Sequence, residues 1–357
     1  MANFKVNVKK LNVRSSPVTN FDNKGNVVAV LMKDAVFESV GVVENQLGKW
    51  QIGKNGETVS NNFLAPLQQD IPPELVKYQD KIPQVFLDLH LGKLWELPMQ
   101  EGLKVGLIDS GVLKNDAIKQ QIIDLNPECK ASTDGMFFHG TTMACIIAGF
   151  DPENGIIGIA PGIDKIYSYK LPEEGTTPDM YLDALQKMQN ENVNIINISS
   201  GSYDESFSPC SQLQAKITEM ATMGYLIVCS TGNKGFDRKV FYPASYQNVI
   251  SVTGFIKDDK QDYGANFWDG VFLGTCSDFY FLDTNKYSHG CGTSSAAAII
   301  TGCLARMYQS LDKENRLECF RSIVKKLRTV EFSSVNTTVK VYQLDIQLII
   351  NQLKFEK

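Results

Sequence analysis

Histidine is scarce. The chain has three in 357 residues, His90, His139 and His289, which argues against a metal centre built from imidazoles. Cysteine motifs are missing too. The eight Cys are scattered, no C-x-x-C occurs, and Cys145, Cys229 and Cys303 sit in apolar or small-residue runs. That usage predicts buried free thiols in a reducing compartment. No apolar run is long enough to span a bilayer, so no membrane partner is expected. Met1 to Lys10 lacks the apolar core of a signal peptide. The expected location is therefore cytoplasmic, or exported if a leader has been removed. Excess charge is small, at −5, which predicts no nucleic-acid surface. Internal repeats and low-complexity segments are absent.

What is there suits a globular protein. The length leaves room for one large domain and one small one. Residues 1 to 68 read as all-β. Phe4-Lys5-Val6-Asn7-Val8 alternates, Val27 to Leu31 is a short apolar run, and Val36 to Val40 and Lys49 to Gly53 follow. Asn23-Lys24-Gly25 and Asn55-Gly56 are turn signals between them. Short strands at this spacing suit a small barrel. Residues 69 to 100 are expected to be a connector that packs onto the next domain. Pro72, Pro73 and Pro83 break it, a short helix fits Glu74 to Lys81, and Leu89, Leu91, Leu94 and Trp95 have helical spacing.

From Leu103 the pattern becomes α/β. Strands are expected at Val105 to Ile108, Ile166 to Tyr169, Val193 to Ile198, Tyr225 to Cys229 and Val249 to Val252. Helices are expected at Met143 to Ala148, Met180 to Asn190 and Gln212 to Met223. Near-continuous apolar strands alternating with helices predict a mostly parallel sheet covered on both faces, spanning residues 101 to 357. Ligands in such sheets sit at the carboxyl ends of strands. The tail reads as a helix (Lys313 to Leu327), a Val/Thr-rich stretch, and a last amphipathic segment (Leu344 to Leu353).

Three short stretches carry the chemistry. Lys104 to Val112 puts Asp109 at the end of a buried strand. Phe138-His139-Gly140-Thr141-Thr142 puts the imidazole at the start of an apolar helix. Ser288-His289-Gly290-Cys291-Gly292-Thr293-Ser294-Ser295-Ala296 puts a hydroxyl where a Gly-rich turn becomes a helix. Singly, each reads as a turn Asp, a structural His and an N-cap Ser. Together they supply what serine catalysis needs: a hydroxyl to attack, an imidazole to take its proton and a carboxylate to fix the imidazole.

The order Asp, His, Ser and the motifs D-[ST]-G-[VI], H-G-T and G-T-S resemble those of subtilisin-like serine proteases, the subtilase family. The resemblance covers about residues 95 to 330. It includes Gly158 to Gly162, Val193 to Gly201, Tyr225 to Asn233 and Tyr242 to Val252. It implies a serine endopeptidase acting on a protein or peptide substrate. Asp109, His139 and Ser294 would form the triad and Asn233 would supply an oxyanion donor. Ser199, Ser200, Gly201 and Ser202 would line the substrate pocket and pair with extended substrate. Phe241, where secreted members often carry a small residue, would favour small residues before the cleaved bond. No cofactor is required for that chemistry. Structural calcium is a family habit, and Asp151, Glu153 and Asn154 are weak candidate ligands. His90, His289 and Cys291 read as packing or loop residues.

The chain departs from the family at Thr142, where a second His is usual, at Ser295, where Met is usual, and at Ala298, where Pro is usual. None of these deletes a reacting group. The inhibitory pro-domain of secreted members is not recognisable. In its place Leu11-Asn12-Val13-Arg14-Ser15-Ser16-Pro17, Gly48 to Ile52 and Asn62 to Leu67 resemble bacterial SH3-like (SH3b) domains. That likeness implies a domain that binds a partner, recruits substrate or packs on the peptidase domain as a gate, with Trp50 in its core. Two alternatives are a catalytically quiet binding protein and an exported, cell-wall-associated protease. The intact triad and Asn233 weigh against the first.

Overall fold

The computed structural model divides the chain into two compact units, Met1–Asp70 and Ile71–Lys357. It describes residues 71–357 except 130–138, 173, 209, 236–240, 257–259, 262–263, 278, 281–288, 291, 335–336 and 356–357. In the first unit it describes the strands alone. These are Ala2–Val6, Lys10–Arg14, Val27–Met32, Val36–Asn45, Gly48–Gly53, Thr58–Ser60 and Leu64–Pro66. They form one sheet of seven strands, and each pairing is antiparallel. Trp50 is 1% exposed, the burial of a core residue rather than of an open platform. Asn23-Lys24-Gly25 and Asn55-Gly56 lie outside the described residues.

The second unit is built on a sheet of ten strands. In chain order these are β1 (Lys104–Asp109), β2 (Gln121–Asp124), β3 (Lys165–Lys170), β4 (Ile195–Ile198), β5 (Leu226–Ser230), β6 (Ile250–Ile256), β7 (Lys260–Gln261), β8 (Leu273–Cys276), β9 (Thr329–Ser334) and β10 (Thr337–Gln343). Their order in space is β2-β3-β1-β4-β5-β6-β8-β10-β9, with the short β7 beside β6. Pairing is parallel from β2 to β10. Only β7 and β9 run antiparallel to their neighbours. The chain crosses from one side of β1 to the other between β3 and β4. Such a reversal opens a crevice at the strands' carboxyl ends.

Among the described residues six helices flank the sheet: α1 (His139–Ala148), α2 (Pro178–Asn190), α3 (Ser211–Thr222), α4 (Gly292–Met307), α5 (Arg316–Val324) and α6 (Ile346–Phe355). Successive strand residues point to opposite faces, and here they divide between two cores. Val105, Leu107, Ile195, Leu226 and Val228 join the core of α1, α4, α5 and α6. Ile108, Ile196, Ile198, Ile227 and Cys229 join that of α2 and α3. Both faces are therefore covered, as the apolar strands require. Helix α4 is buried on nearly every side, which explains its run of Ala and other small residues.

The connector belongs to this unit from Ile71 onward. It folds as two 3-10 helices, Pro73–Lys81 and Leu91–Glu96, around a short α-helix, Gln84–Asp88. Leu75, Phe86, Leu91 and Leu94 are fully buried in the core shared with α4. The Arg306 guanidinium lies 4.6 Å from the Trp95 ring centre, and Arg306 Nε donates to Ile159 O at 3.0 Å. Burial lowers the Arg306 pKa to about 10. His90 is half-buried at a left-handed backbone position, φ 55°.

Some elements escaped the sequence pattern. The edge strand β2 is partly exposed along its length and lacks an apolar run. Strand β8 contains Gly274, where a Cβ would stand 2.2 Å from the Phe255 ring. The Val/Thr-rich stretch is the hairpin β9–β10. Among the cysteines, Cys145, Cys229 and Cys303 are buried free thiols, and burial pushes Cys145 up to about 12.

Candidate active site

Asp109 is the last residue of β1 and is 2% exposed. His139 opens α1, so strand end and helix start deliver carboxylate and imidazole to one point. His139 Nδ1 lies 2.7 Å from Asp109 Oδ1, and the same oxygen accepts the Ser110 N–H at 2.7 Å. The bond assigns the Nδ1 proton to the carboxylate side and leaves Nε2 free to accept. The Asp109 carboxylate raises the His139 pKa above its ordinary value, while burial pulls the other way. Asp109 Oδ2 is buried without a partner among the described residues. The approach is close: a Cβ at Gly140 would stand 2.3 Å from Gly111 O.

Ser294 is the third residue of α4, inside its first turn rather than at a cap position. Its hydroxyl donates to Ser199 O at 3.1 Å, and Ser199 Oγ donates back to Ser294 O at 3.1 Å. Among the described residues no hydrogen bond joins Ser294 Oγ to His139. Behind this pair runs a buried polar chain. Thr301 Oγ1 donates to Asn197 Oδ1 at 2.9 Å, and Asn197 Nδ2 donates to Ser199 Oγ at 2.9 Å.

Asn233 faces the helix start. Its Oδ1 accepts the Thr293 N–H at 2.9 Å and the Thr293 hydroxyl at 3.1 Å. With Oδ1 occupied, Nδ2 is the end left to donate. Gly292 makes that contact possible: its φ is +76°, and a Cβ there would lie 2.8 Å from Asn233 Oδ1. Only glycine meets both conditions without strain.

Ser199, Gly201, Ser202, Asn233, Phe241 and Ser294 line one cleft of about 460 Å³. The Phe241 ring forms its floor: a Cβ on Gly201 would stand 2.5 Å from Phe241 Cε1. Ser202 and Tyr242 pair as an isolated antiparallel bridge that holds the wall in place. The Ser200 side chain turns elsewhere. It donates to Ile108 O at 3.1 Å and accepts from the Tyr181 hydroxyl at 3.1 Å. Tyr203 joins the cleft lining; no motif marked it in the sequence.

The residues proposed for calcium are placed differently from a cage. Asn154 turns its NH2, not its oxygen, to Asp151 Oδ2 at 2.9 Å. Lys81 Nζ donates to Glu153 O at 2.5 Å and lies 3.8 Å from Glu153 Oε2. An ammonium there opposes a second cation, so this donor set does not fit calcium. Among the described residues no cluster of three or more His, Cys, Asp or Glu is able to hold a metal ion. Cys291 and the His289 side chain lie outside the described residues.

Residues 100–338, more than half of the chain, match the sequence model of the subtilase family of peptidases. The chain belongs to the subtilase family. This subtilase is 26% identical over 259 residues to an intracellular serine protease of Paenibacillus polymyxa, covering 67% of this chain and 77% of the relative. It is 24% identical over 268 residues to the major intracellular serine protease of Bacillus subtilis (strain 168), covering 69% and 83%. The fold resembles that of the prenylagaramide maturation protease PagA, with a TM-score of 0.60 at 19% identity, covering 74% of this chain and 98% of that one. It also resembles the nisin leader peptidase NisP of Lactococcus lactis, with a TM-score of 0.56 at 18% identity, covering 73% and 90%. The subtilase is a serine endopeptidase.

Proposed function

We propose that Ser294 is the nucleophile of this endopeptidase, His139 its general base and Asp109 the orienting carboxylate. Ser294 Oγ leaves the Ser199 carbonyl and attacks the scissile carbonyl carbon as His139 Nε2 takes its proton. The C–N bond then breaks and the imidazolium returns the proton to the departing amine, leaving an acyl-enzyme. Water, deprotonated by the same imidazole, frees the acid and restores Ser294. Asn233 Nδ2 and the Ser294 N–H, at the positive end of α4, stabilise the oxyanion. The observation that carries this reading is the 2.7 Å contact of His139 Nδ1 with the buried Asp109 Oδ1.

The Ser199–Ser202 segment pairs with extended substrate through its backbone. Phe241, on the cleft floor, selects small residues on the acyl side of the cleaved bond. We read the biological role as dedicated processing of a protein or peptide inside the cell. Two curated relatives are named intracellular proteases, and two relatives in fold are named for maturation of a product and removal of a leader. The first unit, through its likeness to SH3b domains, serves as the recruiting or gating module.

N-terminal profiling of a host lysate treated with wild type or Ser294→Ala tests this. New N-termini arising with wild type alone, few in number and preceded by small residues, are expected. Identical products from both proteins would overturn it.

A further inference from the structure

The loop that carries Asn233 is not held by regular secondary structure; residues 231–234 fall between β5 and the segments that follow. Two buried side chains reach it from distant parts of the sequence: Thr293 Oγ1 accepts the Gly232 N–H at 3.0 Å, and Asn266 makes the remaining contacts. Asn266 is 1% exposed. Its N–H donates to Gly232 O at 2.9 Å, and its Nδ2 donates to Thr231 O at 2.8 Å. Its Oδ1 accepts the Lys234 N–H at 2.8 Å. Its carbonyl accepts the Thr231 hydroxyl at 2.9 Å and the Thr253 hydroxyl at 2.8 Å.

Each polar atom of Asn266 is thus engaged, and the partners include Thr231, Gly232 and Lys234, the residues that bracket Asn233. Nδ2 also donates to the Tyr203 hydroxyl at the cleft wall. Gly232, at φ +90°, shows how tight the contact is. A Cβ there would stand 2.7 Å from Asn266 Nδ2, 2.8 Å from Tyr203 OH and 3.0 Å from Phe241 Cγ.

We propose that Asn266 is a positioning residue for the oxyanion donor. It fixes the backbone on both sides of Asn233, while Thr293 holds the Asn233 side chain by Oδ1, and the two together set where Nδ2 points. The inference rests on the reading of Asn233 as the oxyanion donor. A donor that stabilises a transition state must be in place beforehand, because reorganisation during the reaction costs part of the gain. A loop without helix or strand around it needs such a support. Asn266 suits the task because one amide offers a donor and an acceptor in a fixed plane. It spans Thr231 O and Lys234 N, two groups of opposite polarity.

The test is a double-mutant cycle with Asn266→Leu, of nearly the same shape as Asn, and Asn233→Ala. It is read as kcat and KM on a cleaved peptide, with melting of each variant followed in parallel. Expected for Asn266→Leu alone is a fall in kcat of about ten- to a hundred-fold with KM within about twofold, the pattern of a contact made only in the transition state. In the Asn233→Ala background the same change is expected to cost less than about twofold, because the group it positions is gone. Equal losses in both backgrounds would make Asn266 a general structural residue and overturn the proposal while leaving Asn233 its role. An Asn233→Ala enzyme with unaltered kcat would overturn the Asn233 reading and this one with it. If Asn266→Leu does not fold, Asn266→Ser goes through the same cycle with the same two outcomes.

Discussion

Ser294 and Ser199 hold each other by both ends: each hydroxyl donates to the other's carbonyl at 3.1 Å. The first turn of α4 is thereby stitched to the end of β4. The family's usual Pro after the nucleophile is Ala298 here, so the helix start lacks that constraint. The reciprocal pair, backed by Asn197 and Thr301, anchors it instead. Thr301→Val removes the outermost hydroxyl of that chain and leaves Asn197 Oδ1 buried without its partner. The expected effect is a loss of about 1–3 kcal/mol of stability, read by urea unfolding. Activity per folded molecule should fall less than with Ser199→Ala.

Proteolysis should depend on pH through His139. Asp109 raises the imidazole pKa above its ordinary value, and only the neutral ring accepts a proton. Thus kcat/KM should be low in acid and rise through a midpoint above the usual imidazole value. Asp109→Asn should lower that midpoint as well as the rate. The sign for stability is opposite. A raised folded pKa stabilises the fold below the unfolded value, and that contribution is lost as pH rises through the folded one. Profiles of kcat/KM against pH for the two proteins check the first statement, and unfolding free energies across the same pH range check the second.

Asn233→Ala should cut kcat by about a hundred- to a thousand-fold with little change in KM. That magnitude is the one known for subtilisin itself. Steady-state kinetics on a chromogenic peptide settle it. A loss confined to KM would mean that Asn233 binds the ground state instead.

Phe241→Gly should open the cleft floor beneath Gly201 and Gly232. Peptide libraries are expected to show wild type cutting after small residues and the variant accepting Phe or Leu. Best cleavage by wild type after Phe or Leu would sink the specificity reading.

The connector is core, not tether. Phe86 is fully buried in the cluster shared with α4, so Phe86→Ala should cost about 3–5 kcal/mol. Chemical denaturation of the two proteins measures it. A chain beginning at Ile71 keeps that packing, so its activity reports on gating by the first unit. Activity equal to full length would exclude a gate.

Much of this was legible in the residues. The parallel sheet followed from apolar strands alternating with helices, because strands covered on both faces need no polar side. Asp109, His139 and Asn233 stand in short motifs that resemble those of subtilases, and the order of those motifs along the chain marks them. The support around them was not legible. Asn266 lies in Gly264-Ala265-Asn266-Phe267, a stretch with no periodicity, and the loop residues that it holds, Thr231 to Lys234, are 32 to 35 residues away. Thr301 and Asn197 are separated by 104 residues, and only the fold brings them together. Ser200 shows a detail that the motif left open. Sequence grouped it with Ser199 and Ser202, but successive residues of an extended chain face opposite ways, and its side chain turns towards Tyr181.

The most direct test of the account is labelling with a fluorophosphonate probe, followed by mapping of the modified peptide. One phosphonyl group on Ser294 of wild type, none on Ser294→Ala and slowed labelling of His139→Ala are predicted. No labelling of the folded wild type, or labelling that persists in Ser294→Ala, would contradict it.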